Sequence, residues 1–213
     1  VLKSIEEQGA LTEELKEKIL AAETLVMVED LYRPYRPKRK TRASVAKEKG
    51  LQPLAAFILD QNATEDVLVE AAKYLSDAEG KEVKTAEEAL QGAKDIIAEQ
   101  ISDEADYRTF IRDLTMQEGA IKSTAKDAEV KSVYENYYDF EEKISKSAGH
   151  RVLALNRGEK EKILTVKIMA PEERITGYLQ KQIITANNPF TTPILEEVVL
   201  DAYCGIGTIG MTA

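Results

Sequence analysis

The stretch RPYRPKRKTR carries six cations in ten residues: Arg33, Arg36, Lys38, Arg39, Lys40 and Arg42, interleaved with Tyr35 and two prolines. Such a cluster can displace counterions from phosphates, and an aromatic ring among the cations can stack on a base. The same residues also suit a solvated connector, or cations pairing with the acidic surface of neighbouring helices. A second stretch, LDAYCGIGTIG, sets Asp201 ahead of Gly205 and Gly207. An acid after apolar residues, followed by Gly-x-Gly, is how many strand-to-loop nucleotide sites begin, because glycines let the backbone approach the ligand. A third, GHRVLALNRGE, joins the only histidine, His150, to Arg151, Asn156, Arg157 and Glu159. His150 has the chemistry of a general base. No serine or cysteine nucleophile stands at a matching spacing, so the stretch reads as structural. His150 and Arg151 then fix a helix start, and Arg157 and Glu159 form an ion pair.

Composition limits the other chemistries. The chain has 213 residues, 43% apolar and 31% charged, enough for one globular domain or two small ones. Net charge is −9, yet residues 31–50 hold eight Lys/Arg against one Glu, leaving −16 for the remainder. That pattern argues against a nucleic-acid clamp over the whole surface and leaves room for a local one. One cysteine, Cys204, excludes an internal disulfide and a cysteine-based zinc site, and one histidine excludes a histidine-rich metal site. The longest apolar run, LAAFIL, is far short of the roughly 20 residues a membrane helix needs. The start, VLKSIEEQGA, has no signal-peptide pattern. A cytoplasmic protein with no membrane partner is expected, and an opening in mid-helix suggests a piece of a longer one.

The elements that must position these residues read almost entirely as helices. Leu11, Leu15, Ile19 and Ala22 share a face, with Thr12 as cap, in a helix expected to run on until Pro34 and Pro37 stop it near Arg33. TRASVAKEKG is a short helix closed by Gly50, and LQPLAAFILDQ another with Pro53 in its first turn. TAEEALQGAKDIIAEQI opens with Thr85 and Glu88 as a capping box, and Gly92 inside it predicts close helix packing. SDEADYRTFIRDLTMQEG stops at Gly119. Tyr134, Tyr137, Tyr138 and Phe140 are spaced as if on one helix ending before Gly149. KILTVKIM alternates like a strand, and Thr192 with Pro193 opens a last helix. The expected fold class is mainly α: a multi-helix bundle or stack with at most a short β element near 162–169.

Several long stretches carry a family resemblance. VEDLYRPYRPKRKTRASVAKEKGLQPLA, ALQGAKDIIAE, YENYYDFEEKI, HRVLALNRGEKEKILTVKI and TTPILEEVVLDAY resemble the helical region of the Tex transcription accessory proteins, in family order, over about residues 1–203. The resemblance implies a non-catalytic, nucleic-acid-associated scaffold with no cofactor. Its partner would be RNA or DNA, bound weakly by this region; transcription or ribosome-associated proteins are the further partners expected if the acidic surface and the tyrosine stretch form an interaction module. It further implies an RNase H-like domain, a helix-hairpin-helix region and an OB-type RNA-binding domain downstream.

Residues 204–213 depart from that pattern. LDAYCGIGTIG resembles the S-adenosylmethionine motif of RNA uracil-5 methyltransferases, which implies cofactor contacts at Asp201, Gly205 and Gly207. The two resemblances overlap only at residues 200–203, as if two unrelated coding segments met there. The expected division is therefore a scaffold over 1–203 and a foreign glycine-rich tail over 204–213. Two alternative functions follow: a truncated methyltransferase fusion, or a helical protein–protein interaction module. PILEEVVLDAY has helical spacing and no strand to pair with, so a helix to about Tyr203, fraying through the glycines, is expected.

Overall fold

The computed structural model describes residues 1–36 and 40–209, with side chains as far as Cys204. The described residues divide into two compact units, 1–109 with 176–209, and 110–175.

The first unit begins with α1 (Leu2–Glu7), α2 (Glu13–Ala21) and α3 (Leu25–Tyr32), followed by a 3-10 turn at Arg33–Tyr35. Thr12 caps α2 by accepting from Leu15 N–H, as its position predicts. One long helix was the expectation here, but two form. Thr24 adopts an extended backbone and caps α3 by accepting from Met27 N–H, so a local hydrogen bond outcompetes continuation. Next come α4 (Arg42–Glu48), α5 (Gln52–Asp60), α6 (Val67–Ala71), the central α7 (Ala86–Asp103) and α8 (Ala105–Glu118). Thr41 and Ser44 form a reciprocal capping box at α4, and Gly50, at φ +81°, turns the chain out of it.

Helix α7 organises this unit, packing against α4, α5, α6 and the last helix, α11 (Thr192–Ile209), which follows α9 and α10 below. Its Ala89, Ala93, Ile96, Ile97 and Ile101 are buried on one stripe. Thr85 accepts from Glu88 N–H, but the Glu88 carboxylate accepts from Lys84 N–H, one residue earlier than the expected capping box requires. At Gly92 the helices approach so closely that an added Cβ would lie 2.4 Å from Leu51 Cδ1 and 3.2 Å from Ala46 Cβ. Gly92→Ala is therefore expected to destabilise by about 1–2 kcal/mol, the overpacking cost outweighing about 1 kcal/mol of gained helix propensity. Urea unfolding reads the change; a stabilised variant would mean Leu51 can step aside.

The second unit contains the end of α8, β1 (Ala120–Ala125), β2 (Asp139–Lys143), α9 (Gly149–Lys160), β3 (Leu164–Met169) and the start of α10 (Glu172–Ile183). The strands form an antiparallel sheet in the order β2-β1-β3. Strand β3 matches the alternation of KILTVKIM. The tyrosine stretch does not form the expected helix: Glu135–Tyr137 is a 3-10 turn, and Phe140 lies on β2, opposite Ser123. The ring spacing of three and four arises from the turn. Its cause is a shared core: Tyr134 is buried with Ile121, Leu155 and Leu164, and Tyr137, Tyr138 and Phe140 pack around them. Gly158 admits this core, since a Cβ there would meet Leu164 Cδ1 at 2.7 Å.

The last helix forms as a helix, not a strand, but continues through Gly205 and Gly207 to Ile209 instead of ending near Tyr203. It starts at Thr192, so Thr191 holds the cap position expected for Thr192, whose hydroxyl accepts instead from Asn188 N–H.

Candidate nucleic-acid interface

The cationic segment leaves α3 through the 3-10 turn and enters α4, because Pro34 ends one helix and Thr41 starts the next. Arg33, Arg36, Lys40 and Arg42 fall within the described residues; Lys38 and Arg39 lie outside them. Arg36 is exposed where the turn ends in extended backbone. Lys40 is exposed and sits 3.5 Å from Glu48.

The other cations face α7. Arg33 Nε donates to Asp103 Oδ1 at 3.0 Å. Arg42 Nε lies 3.8 Å from Asp95 Oδ1, with its own side chain 80% exposed. Lys47 Nζ donates to Glu99 Oε2 at 2.9 Å, and Thr41 Oγ1 donates to Glu99 Oε1 at 3.0 Å. Lys49 Nζ donates to Glu88 Oε1 at 2.8 Å. The Lys49 ammonium, together with Lys84 N–H, holds the Glu88 carboxyl below its ordinary pKa. Glu88, Asp95, Glu99 and Asp103 are spaced by seven, four and four residues, which sets them along one stripe of α7 beside the buried one. Of the alternatives the sequence left open, pairing with a neighbouring acidic helix therefore describes Arg33 and Arg42. A cavity of about 260 Å³ opens between the two rows, lined by Arg33, Arg42, Asp95, Asp103 and, from α11, Asp201.

The acidic surface is legible in the composition; these four carboxylates are not. The readable signal was their spacing, which matches the interval of the buried Ala/Ile stripe with an offset. The pair that Arg42 makes with Asp95, from a cation side chain mostly in water, is weak, about 0–1 kcal/mol. Asp103 is buried and holds Arg33 at hydrogen-bond distance, so the row seats Arg33 firmly and Arg42 softly.

The remaining sequence-selected residues lie elsewhere. His150 is exposed at the second position of α9. Arg151 pairs with Glu142 of β2, tying the start of α9 to the sheet. Glu159 accepts from Val166 N–H at 3.2 Å, not from Arg157 as expected. Its carboxylate thus caps a backbone donor of β3. Asp201, Gly205 and Gly207 share one continuous helix, α11. The strand and glycine loop that the methyltransferase resemblance implies are not the local backbone here, because upstream helical spacing carries through.

Residues 62–196, well over half the chain, match the family model described as Tex central region-like. The chain belongs to the Tex central region-like family. It is 52% identical over 206 residues to "Uncharacterized protein YdcI" of Bacillus subtilis, covering 95% of this chain and 28% of that protein. It is 38% identical over 171 residues to "Transcriptional accessory protein Tex" of Neisseria gonorrhoeae, covering 79% of this chain and 22% of that one. Similarity extends to "S1 RNA-binding domain-containing protein 1" of Homo sapiens, 28% identical over 176 residues, 78% of this chain and 17% of the human protein. The chain thus spans under a third of the length of each of these relatives. It matches a helical region of Tex-like proteins, and among its described residues no helix is long and apolar enough to cross a membrane.

Proposed function

We propose that this chain is a non-catalytic helical scaffold of a Tex-like transcription accessory protein, and that it associates with nucleic acid through the cationic segment whose candidate contacts are Arg33, Arg36, Lys38, Arg39, Lys40 and Arg42. The observation that supports this reading most is the exposure of Arg36, Lys40 and Arg42. The carboxylates of Glu48 and Asp95 stand 3.5 and 3.8 Å from Lys40 and Arg42, pairs that are individually weak. The names of the Neisseria and human relatives, one transcriptional and one RNA-binding, point the same way. Association through cations on a connector gives affinity without sequence readout, because phosphate contacts carry no base information.

Arg36→Gln with Lys40→Gln in the full chain tests the reading. Neither substitution removes a buried contact, so the fold is expected to stay intact. Binding to a fluorescein-labelled single-stranded RNA, read by anisotropy at low salt, is expected to weaken several-fold, since each lost phosphate contact removes one counterion-release step. Unchanged binding would exclude the face as the contact surface.

A further inference from the structure

We infer that the carboxylate row of α7 is a built-in competitor for phosphate at the cationic face, and that Asp95 is the member that sets its strength. The inference rests on the nucleic-acid reading above and specifies which residues limit its affinity. The geometry makes Asp95 distinctive. Asp103 meets Arg33 at 3.0 Å and Glu99 meets Lys47 at 2.9 Å, both at hydrogen-bond distance. Asp95 stands 3.8 Å from Arg42 Nε, beyond a normal hydrogen bond, and is itself 12% exposed while Arg42 is 80% exposed. An anchored, largely buried carboxylate therefore faces a cation whose side chain is mostly in water. Gln91 Nε2 donates to Asp95 Oδ1 at 3.3 Å, which helps to hold the carboxylate in place.

A phosphate oxygen can take the carboxylate's role toward Arg42 with a better fork geometry, because guanidinium binds phosphate through two parallel N–H donors. The exchange releases little pairing energy from the protein, and the carboxylate then opposes the incoming phosphate by like-charge repulsion across the same cavity. Asp103 and Asp201 line that cavity too and repel in the same sense. The acidic row thus lowers affinity for any polyanion at this face while keeping the cations oriented toward it. A protein that contacts nucleic acid without fixing on it gains from such an arrangement.

Asp95→Asn in the full chain tests this. The amide keeps the size of the side chain and an oxygen for Gln91, so the fold is expected to stay intact, and unfolding by urea verifies it. Glu87→Gln, eight residues earlier and about 12 Å along α7, makes the same change in net charge away from Arg42 and serves as the comparison. Affinity for the single-stranded RNA is expected to rise about three-fold or more for Asp95→Asn, with the slope of log K against log salt steepened by about 0.7, one additional phosphate contact. Glu87→Gln is expected to leave both nearly unchanged. Equal behaviour of Asp95→Asn and Glu87→Gln, while Arg36→Gln with Lys40→Gln still weakens binding, overturns the inference and leaves the nucleic-acid reading standing. If the cation substitutions also change nothing, the nucleic-acid reading itself fails, and this inference with it.

Discussion

Asp30→Ala is expected to destabilise the first unit by about 3–5 kcal/mol, because it leaves a buried guanidinium without its counter-charge. Asp30 lies on α3 and is 4% exposed. Its Oδ1 accepts from Arg108 Nε at 2.6 Å, and the Arg108 side chain is 11% exposed. Arg108 also reaches Ser102 C=O at 3.4 Å, and Arg33 joins Asp103 beside it. The four charges bind α3 and the following turn to the junction of α7 and α8. The pair as a whole is worth much less than the loss of one partner, since bringing both charges out of water offsets their attraction. Asp30→Leu combined with Arg108→Met is therefore expected to recover most of the loss. Urea unfolding of the two single variants and the double variant gives the coupling; additive losses in the double variant would mean that the two side chains do not act as a pair.

The second large effect is expected at Gln61. This residue ends α5 in the left-handed region at φ 53° and is 4% exposed. Its amide nitrogen donates to Ile183 C=O at 2.8 Å and to Leu59 C=O at 3.2 Å. Its oxygen accepts from Thr185 N–H at 3.0 Å and Ala186 N–H at 2.9 Å. Asn188 returns the contact, donating to the Gln61 and Ala63 carbonyls at 3.0 and 2.9 Å. One amide thereby satisfies the backbone between α10 and α11 that no helix can satisfy. Gln61→Ala orphans several of these groups at once and is expected to cost about 2–4 kcal/mol, because buried unmet donors and acceptors lose about 1–3 kcal/mol each and water reaches the exposed ones. Hydrogen exchange at Thr185 and Ala186 is expected to speed up in parallel. Protection unchanged at both amides would show that Gln61 does not hold this segment.

Neither of these networks was legible in the sequence, for a common physical reason. Asp30 and Arg108 are 78 residues apart, and Gln61 and Ile183 are 122 apart. Periodicity and capping report on contacts within about four residues, so they located the caps at Thr12 and Thr85, the turn at Gly50, Pro53 in a first turn and close packing at Gly92. They missed the break at Thr24, put the last cap at Thr192 and not Thr191, and did not report on distant partners. The same limit explains the sheet. Strand β3 announced itself by alternation. The central strand β1, AIKSTA, has little apolar alternation and owes its conformation to ladders on both sides. Without β1 in view, the tyrosines before β2 had no partner and their local spacing looked helical.

The candidate site divides along the same line. The cations were evident as a run of like charge. The carboxylates that face them come from a helix about 40 to 70 residues later, and only the packing of α4 against α7 brings the two rows together. Gly92 lies within that packing, where a Cβ would meet Ala46 of α4 at 3.2 Å, so a glycine legible as a packing signal marks the contact that brings the rows together. The glycines at 205 and 207 show the converse: a motif complete in its letters takes the helical backbone of its neighbours.

Association with nucleic acid through the cationic segment would show itself in the salt dependence of RNA binding. Anisotropy titrations of the full chain and of the Arg36→Gln/Lys40→Gln variant, at several salt concentrations, give a slope for each. Affinity is expected to fall steeply with salt for the unmodified chain, with a slope shallower by about 1.4 for the variant, two single-strand phosphate contacts fewer. Binding that is insensitive to salt, or a slope identical in both proteins, would exclude this contact with nucleic acid.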